Sequence, residues 1–291
     1  MAHPGEIAVQ TRAGFPDAAR RMAVAVRCEM PAAAQDFIAI LPLVIAAFRD
    51  DHAGMHVVAI EGKPGFARAL STREIAIAFG AERTMRFRTC MRPNQPLGLL
   101  FLDSATRRRM RANGHATIAG DDLIVQVDEV YGNCPRYIQR RRWIERDAER
   151  QIDASPPTVA RALSAAALHA ITHADTFFVG TCHAEAGADV SHRGGPHGFV
   201  NAIDERTLVW PDYGGNRFYQ TLGNLHADPS CGLLFIDYAR GDTWQLSGRA
   251  NIVWDGYDRA RYPDAERLVR FELDTMTESP AALTLCAIDS A

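Results

Sequence analysis

The sequence has almost no lysine, no paired cysteines and no long apolar run. Lys63 is the only lysine among 291 residues, and the net charge of −3 argues against a general polyanion-binding protein. The six cysteines are scattered without a CxxC pair, which excludes a disulfide scaffold and a zinc-finger pattern. The most apolar run, Phe37–Phe48, contains Pro42 and is far shorter than the ~20 residues that span a bilayer. Because the first residues also lack a signal-peptide layout, we predict a cytoplasmic protein without membrane contact.

Familiar catalytic and metal-binding motifs are also missing. There is no nucleophile elbow and no HExxH motif, and the closely spaced glycines do not follow a Rossmann strand–turn–helix pattern. His169 and His173 have the spacing of two metal ligands on one helix face, but the sequence places no third ligand, so we predict no metal site. The arginine runs Arg107–Arg109 with Arg111, and Arg140–Arg142, lack interleaved aromatics. They favour solvated strand and helix faces over nucleic-acid binding.

Short apolar runs between Gly, Asp and Asn turn signals predict a mainly β chain with flanking helices. The predicted strands are His56–Ile60, Ala67–Leu70, Glu74–Phe79, Gly98–Asp103, Met110–Ile118 and Leu123–Asp128 in the first half, and Thr176–Cys182, Gly198–Ile203, Thr207–Trp210, Cys231–Asp237, Asp242–Val253 and Arg267–Leu273 in the second. The predicted helices are Asp17–Val26, Ala32–Asp51 with a kink at Pro42, Thr158–His173, and Arg217–His226 with Asn216 as its N-cap.

The two halves repeat one pattern. Residues 98–118, GLLFLDSATRRRMRANGHATI, align without gaps on residues 232–252, GLLFIDYARGDTWQLSGRANI, and nine positions are identical. Upstream, PGFARALSTREI at 64–75 falls against HGFVNAIDERTL at 197–208, with a spacing that differs by one residue. This pattern predicts a tandem duplication of one β unit. The domains that we predict are 1–150 and 151–291.

The second copy carries the stretch that points to a ligand. The loop PDYGGNR is predicted to lead from a strand end onto a helix N-terminus, where backbone N–H groups and the helix dipole favour an anion. Asn216 and Arg217 lie at this point, and an arginine there can add bidentate hydrogen bonds to a phosphate. The alternative is a simple helix cap followed by a solvated arginine.

The motifs SHRGGPHGFV, PDYGGNRFYQTLGNL and GLLFIDY, in this order, resemble the FMN-binding split barrel of the pyridoxamine 5′-phosphate oxidase-like proteins. The resemblance is closest to the flavin-nucleotide-binding branch of that family and covers the last 115 residues or so. It implies two tandem split-barrel units, of which the second carries the FMN motif. The first is degenerate, because it has no counterpart of SHRGG and no Asn-Arg turn, and we expect it to supply a wall or a pseudo-dimer partner.

The resemblance also implies roles for particular residues. The cofactor-binding residues that it indicates are Ser191, His192, Arg193, Trp210, Pro211, Asp212, Asn216, Arg217 and Thr221. Arg193 is the favoured charge partner of the phosphate, and His192 contacts either the flavin ring or a substrate. The stretch GNCPRYIQ is expected to bring Asn133, Cys134 and Arg136 back towards the cofactor. From the local sequence pattern alone, Trp210 could equally well be a core residue. Asp212 could equally well cap a turn, and Thr221 could lie on the surface of a helix.

These expectations lead to an FMN-dependent oxidoreductase with a small-molecule substrate or electron donor that the sequence does not identify. No catalytic residue is assigned, because the cofactor carries the difficult chemistry. The alternative is a non-catalytic flavin or haem binding, storage or sensor protein of the same fold. In this fold the flavin lies between two barrels. The first copy can furnish the partner barrel within one chain, or two chains can pair, and we predict a homodimer.

Overall fold

The chain folds into two large antiparallel sheets, one from each half, that pack face to face, and a third sheet of two strands. The computed structural model describes residues 2–52, 54–78, 90–145, 155–258 and 260–289. The first sheet follows three short helices. The elements of this half are α1 (Pro4–Arg12), α2 (Ala18–Ala25), α3 (Ala32–Ala39), β1 (Leu43–Arg49), β2 (Met55–Glu61), β3 (Ala67–Ser71), β4 (Glu74–Ala78), β5 (Gln95–Asp103), β6 (Arg108–Ala119), β7 (Asp122–Gly132) and β8 (Arg141–Glu145).

The second half repeats this arrangement. Its elements are β9 (Thr158–Ala160), α4 (Ala165–His173), β10 (Thr176–His183), β11 (Gly187–Gly194), β12 (Asn201–Ala202), β13 (Thr207–Tyr213), α5 (Gln220–Ala227), β14 (Ser230–Ile236), β15 (Thr243–Val253), β16 (Ala265–Ser279) and β17 (Leu285–Asp289). The first sheet has the order β2-β1-β5-β6-β7-β4-β3 and the second the order β11-β10-β14-β15-β16-β13-β12, with β9 added beside β16. The order is the same in both, and the prediction of a mainly β fold is confirmed.

A matching irregularity strengthens the correspondence between the two sheets. The pairing of β6 with β7 shifts register between Asn113 and Gly114, and the pairing of β15 with β16 shifts between Ser247 and Gly248. A side chain on Gly114 would fall on the carbonyl oxygen of Gln126, and one on Gly248 on that of Glu272. The two glycines therefore allow the same bulge at aligned positions of the repeat.

The three largest of four apolar clusters hold the fold together. One fills the first unit and includes Ile75, Leu99 and Phe101. A second fills the other unit around Phe177 and Phe235. The third joins the two sheets, and it takes Leu43, Ile45, Val57 and Leu100 from the first and Phe178, Val190 and Leu234 from the second. This third cluster buries one face of each sheet against the other, so the two sheets share a common core.

Both end segments cross from one unit to the other. Helix α1 packs on α5, and at Gly5 and Gly223 the two backbones are too close for any side chain. Strand β17 pairs with β8, and Glu61 on β2 accepts hydrogen bonds from the backbone N–H groups of Thr284 and Leu285. The boundary near 150 remains a prediction, since residues 146–154 lie outside the described residues.

Two helix predictions outside the segment after β13 are wrong in their length. The helix predicted at Ala32–Asp51 ends at Ala39, and the apolar residues after Pro42 form β1. The run Leu43–Phe48 is buried on both faces, and such a strand shows no alternation that would distinguish it from a helix. The helix predicted at Thr158–His173 begins only at Ala165, after the Ser164 N-cap, because residues 158–160 pair with β16 instead. Phe79, the end of a predicted strand, lies outside the described residues.

Candidate functional site

A cleft of about 820 Å³, counted to its open mouth, lies where the second unit meets β6 of the first. Its walls are β6, the segment after β7, the end of β11, the end of β13 and the turn that leads into α5. Eight of the nine residues predicted from the sequence line it: Ser191, His192, Arg193, Pro211, Asp212, Asn216, Arg217 and Thr221.

Trp210, the ninth predicted residue, points away from the cleft. Its side chain is 1% exposed and meets Phe177 edge to face, with ring centroids 5.3 Å apart. Since successive residues of a strand face opposite sides, its neighbours Val209 and Pro211 lie on the other face of β13. Trp210 therefore packs in the core of the second unit, as its local pattern allowed.

The turn before α5 differs from the sequence prediction. The helix begins at Gln220 and not at Arg217, because Arg217 and Tyr219 both have left-handed backbone conformations with φ near 60°. The Asn216 side chain caps a turn, with Oδ1 accepting from the Phe218 N–H at 3.1 Å. Arg217 consequently lies outside the helix, and its guanidinium stacks 3.8 Å from the ring centroid of Phe15.

The predicted phosphate partner Arg193 is already paired. Its Nη1 donates to Asp212 Oδ1 at 3.0 Å, and Arg267 lies 3.5 Å from the other oxygen of the same carboxylate. Burial raises the pKa of Asp212, while both guanidiniums act to lower it. Because Asp212 neutralises much of the charge of Arg193, another cation is needed to hold an anion in the cleft.

The first unit provides two arginines that the sequence analysis missed. Arg111 on β6 reaches across to the second unit and donates to Asp189 at 3.0 Å, to Gln220 Oε1 at 3.1 Å and to Ser191 Oγ. Tyr131 on β7 also donates to Gln220 Oε1, at 2.5 Å. This network fixes the start of α5 against the first unit.

Arg109 lies two residues before Arg111 on the same face of β6 and has no carboxylate partner among the described residues. Its Nη1 donates to His192 Nδ1 at 2.9 Å. This contact assigns the imidazole proton to Nε2. Burial keeps the pKa of His192 well below its ordinary value, so the ring is neutral at pH 7. Burial also lowers the pKa of Arg109 to about 10, which leaves the guanidinium charged.

The interpretation of the Arg107–Arg109 and Arg111 run as solvent-facing was therefore wrong for Arg109 and Arg111. The Arg111 side chain is 12% exposed. Residues two apart on a strand share a face. The spacing of Arg109 and Arg111 on β6 therefore indicates that both side chains lie on the same face of the sheet.

Several buried polar atoms around the cleft have no hydrogen-bond partner among the described residues. They are Nε of Arg109, Arg111 and Arg193, Nε2 of His192 and Oδ1 of Asn133. Buried polar groups are nearly always hydrogen-bonded in native proteins, so a cluster of unsatisfied ones indicates a missing ligand or ordered water. Four of the five are donors, which favours a ligand rich in acceptor atoms.

The GNCPRYIQ segment comes back to the cleft; its approach to a cofactor stays a prediction. Asn133, Cys134 and Arg136 line it together with Tyr137. The Tyr137 ring stacks on Tyr213 with centroids 5.2 Å apart, which gives the mouth of the cleft an aromatic surface. Thr221 contacts Ser191, with the two hydroxyl oxygens 2.7 Å apart.

The sequence predicts no metal site at His169 and His173. The centroids of their rings lie 4.2 Å apart, and the two rings are tilted relative to each other. Within the described ranges, no three His, Cys, Asp or Glu side chains are grouped so as to hold a metal ion. Nor does any helix in those ranges have the length and apolar character required to cross a membrane.

Comparison with known proteins gives one family and several distant structures. A structure of HupZ from Group A Streptococcus, in a form with one histidine replaced by alanine, is 14% identical with a TM-score of 0.33, over 40% of this chain and 98% of that one. An FAD-binding protein from Mesorhizobium loti is 13% identical with a TM-score of 0.31, over 43% and 98% of the two chains. An FMN-binding protein from Syntrophomonas wolfei is 8% identical with a TM-score of 0.27, over 43% and 87%.

The search of curated proteins gives no match. The family model for pyridoxamine 5′-phosphate oxidase matches residues 163–282. This range contains the second unit from α4 to the end of β16, including the turn at Asn216 and Arg217. The second half of the chain is therefore a domain of the pyridoxamine 5′-phosphate oxidase-like family.

Proposed function

We propose that the chain is an FMN-binding oxidoreductase whose cofactor occupies the cleft between the second unit and β6. The observation that carries the proposal is Arg109, a largely buried guanidinium without a carboxylate partner in the described part of the chain. It lies among unsatisfied donors. A phosphate monoester supplies both the negative charge and the acceptor oxygens that this environment requires. The family match of the second half supports a flavin nucleotide as the molecule that carries the phosphate.

The residues of the chain divide the work of holding such a cofactor. Arg109, Arg136 and Arg217 line the cleft without a carboxylate partner within the described residues, so they are the cations available to the phosphate. Arg193 and Arg111 are paired with Asp212 and Asp189 and act as donors in a fixed position. FMN, when bound, supplies the hydride or electron transfer itself.

The neutral edge of the site suits the flavin ring system. His192 offers one N–H from Nε2, and Asn133 offers an unpaired amide oxygen. The stacked rings of Tyr137 and Tyr213 present an apolar surface at the mouth. The substrate and the electron donor remain unassigned, and nothing in the cleft favours vitamin B6 phosphate over other small molecules.

Since β6 supplies Arg109 and Arg111, the partner barrel that this fold requires is available within one chain. We therefore propose an intrachain site, and the homodimer stays a prediction that the site does not need. Haem binding is the less suitable alternative, because His192 Nδ1 accepts from Arg109 and Nε2 carries the proton, so neither nitrogen is free for iron.

The test is a pair of titrations, with FMN and with riboflavin, followed by flavin fluorescence. Replacing Arg109 by methionine should weaken FMN binding roughly tenfold to a hundredfold, as expected for one charge-assisted contact. Riboflavin, which lacks the phosphate, should bind both proteins equally. The matched control is Thr243→Val, since Thr243 is the residue of β15 that aligns with Arg109 in the repeat.

Absence of FMN binding by the unaltered protein would overturn the proposal. An equal loss for FMN and riboflavin in Arg109→Met would remove the phosphate role of Arg109. The oxidoreductase part is tested separately, by mixing the FMN-loaded protein with NADH or NADPH under anaerobic conditions. Rapid bleaching of the flavin absorbance supports an enzyme, and a flavin that stays oxidised supports a storage or sensor protein.

A further inference from the structure

The N-terminal arm, which consists of α1, α2 and the loop between them, contributes no strand to either large sheet and lies beside the turn that precedes α5. Helix α1 is fixed to α5 by the close backbone contact of Gly5 with Gly223 and by Val9, whose side chain belongs to the apolar cluster of the second unit. After α2, Arg27 and Val130 of β7 exchange two backbone hydrogen bonds of 3.0 and 2.7 Å. The arm is therefore attached to both units, and the fold determines its position next to the turn.

The turn at 216–219 has a backbone that L-residues avoid. Arg217 and Tyr219 have φ angles of 63° and 59°, in the left-handed region where a side chain crowds its own backbone. In the described part of the chain, no other two non-glycine residues with positive φ lie so close together. Such conformations persist where the surrounding structure holds them in place. The contacts that the N-terminal arm makes with this turn are therefore of interest.

Gln10 on α1 holds the residue between the two left-handed positions. Its Nε2 donates to the backbone carbonyl oxygen of Phe218 at 2.9 Å. Gln10 is 0% exposed, so water does not compete for this carbonyl and the bond is costly to lose. The ring of Phe218 faces Tyr131 of the first unit, with centroids 6.5 Å apart. Phe218 is thus held by the arm through its backbone and by β7 through its side chain.

Phe15, in the loop between α1 and α2, holds the side chain of Arg217. The Arg217 guanidinium lies 3.8 Å from the centroid of the Phe15 ring, and the backbone N–H of Phe15 donates to the Gln10 carbonyl at 2.8 Å. A stack of this kind uses the planar face of the guanidinium. The N–H groups lie in the guanidinium plane and stay available to an anion. A side chain that is ordered before the ligand arrives loses less freedom on binding.

We infer that Gln10 and Phe15 are positioning residues, which keep the turn at 216–219 and the Arg217 guanidinium in the arrangement that receives an anion. Neither side chain is among the described residues that line the cleft, so they act through Phe218 and Arg217. That the anion is the phosphate of FMN rests on the proposed function.

The first part of the experiment uses the FMN-free protein. In Gln10→Met, the backbone amides of residues 216–219 should exchange with deuterium about twofold to tenfold faster, as expected when one hydrogen bond no longer opposes local opening. The NMR signal of the Arg217 Nε–H, which is assigned by its disappearance in Arg217→Met, should carry a ring-current shift from Phe15. Phe15→Leu should remove this shift, and Phe15→Tyr, which keeps the ring, should retain it.

The second part measures the affinities for FMN and riboflavin by flavin fluorescence. Phe15→Leu should weaken FMN binding roughly twofold to tenfold, because Arg217 must then be ordered by the ligand itself. Riboflavin, which lacks the phosphate, should bind as before, and Phe15→Tyr should restore the affinity for FMN. In the Arg217→Met background, Phe15→Leu should have no further effect, since the stacked guanidinium is already absent.

The control on α1 is Thr11→Ala. Thr11 is exposed and its hydroxyl donates within its own helix, to the Ile7 carbonyl at 2.8 Å, so the exchange and both affinities should stay unchanged. Urea unfolding of each variant checks that it is folded.

Unchanged exchange at 216–219 in Gln10→Met would overturn the inference, and so would an Arg217 signal that does not respond to Phe15→Leu. An equal loss of FMN affinity from Phe15→Leu with and without Arg217 would also overturn it. If the unaltered protein binds no FMN, the proposed function fails, whereas the exchange and the Arg217 signal of the FMN-free protein still decide whether the arm holds the turn.

Discussion

The two units share a strand order but carry opposite halves of one site. Ile45 and Phe178 occupy equivalent places, because they pair with the aligned leucines Leu100 and Leu234. Their other neighbours are Ala59 on β2 and His192 on β11. The first unit therefore has Val58, Ala59 and Ile60 where the second has Ser191, His192 and Arg193.

The reverse holds on the adjacent strands. The first unit has Arg109 and Arg111 on β6, and the aligned residues on β15 are Thr243 and Gln245. Packing between the units is reciprocal, since β11 contacts β5 and β6 while β2 contacts β14 and β15. The junction between β11 and β6 therefore contains Arg193, Arg109 and Arg111. The equivalent junction between β2 and β15 has no arginine at the corresponding positions.

The repeat in the sequence and the shared strand order support a tandem duplication, which stays a prediction. Two identical copies would form two equivalent junctions, each with the same polar residues. In this chain the first unit carries those residues only on β6, and the second carries them only on β11. The first unit is degenerate in its own motif, yet it contributes Arg109 and Arg111 to the motif of the second.

The largest expected effect concerns what the units still share. Gly114→Ala and Gly248→Ala should each destabilise the fold by roughly 3 kcal/mol or more, because the added carbon meets a backbone carbonyl that side-chain motion cannot relieve. Chemical denaturation of the two variants measures this. Gly132→Ala is the control, since nothing lies within 4 Å of the added carbon there. If only one of the two bulge glycines proves sensitive, the two bulges are not equivalent.

The next effect separates the units. Arg111→Met leaves Asp189, which is 4% exposed, buried without its main counter-ion, and should cost about 3 kcal/mol of unfolding free energy. The same substitution at the aligned position, Gln245→Met, should cost less than about 1 kcal/mol, because no charge is left behind. Urea unfolding of both variants gives the comparison. Similar losses would mean that the two junctions are not specialised as the residues indicate.

The smallest effect comes from α1, which covers α5 of the second unit. Glu6 on α1 is 3% exposed, and burial raises its pKa from 4.5 to about 8. A folded-state pKa above the unfolded one means that stability is lost as pH rises through that value. Between pH 7 and pH 8 the loss should be about 1 kcal/mol.

Glu6→Gln should remove this part of the pH dependence, as measured by urea unfolding at the two pH values. Glu185→Gln, at an exposed position, is the matched control and should retain the full loss. A slope that is unchanged in Glu6→Gln would assign the pH dependence to another group, for example Glu129, whose pKa is also raised by burial.

The sequence predicted much of the fold because its repeat and its strand signals agree. The gapless alignment of 98–118 with 232–252 placed β5 and β6 on β14 and β15 correctly. The pairing of β17 with β8 was missed, since it joins segments that are distant in sequence and carry no shared pattern. Pro42 was interpreted as a kink, whereas the chain changes there from helix to strand.

The candidate site was predicted in part for similar reasons. Motifs close together in sequence, such as Ser191 to Arg193 and Asn216 to Arg217, could be found by resemblance. Arg109 could not, because its role depends on how one sheet packs on the other. The local sequence pattern also did not predict the left-handed backbone conformation of Arg217, since an asparagine such as Asn216 is typical of an ordinary helix cap.

The pairing of β17 with β8 has a consequence for synthesis on the ribosome. The first sheet leaves the ribosome early, but the surface formed by Leu43, Ile45 and Leu100 has no partner until the second sheet has followed. The ribbon that joins the two halves closes only when β17 arrives. Until the second sheet has been made, this apolar face has no partner among the residues that bury it in the folded chain, and such a transiently exposed face is prone to aggregation.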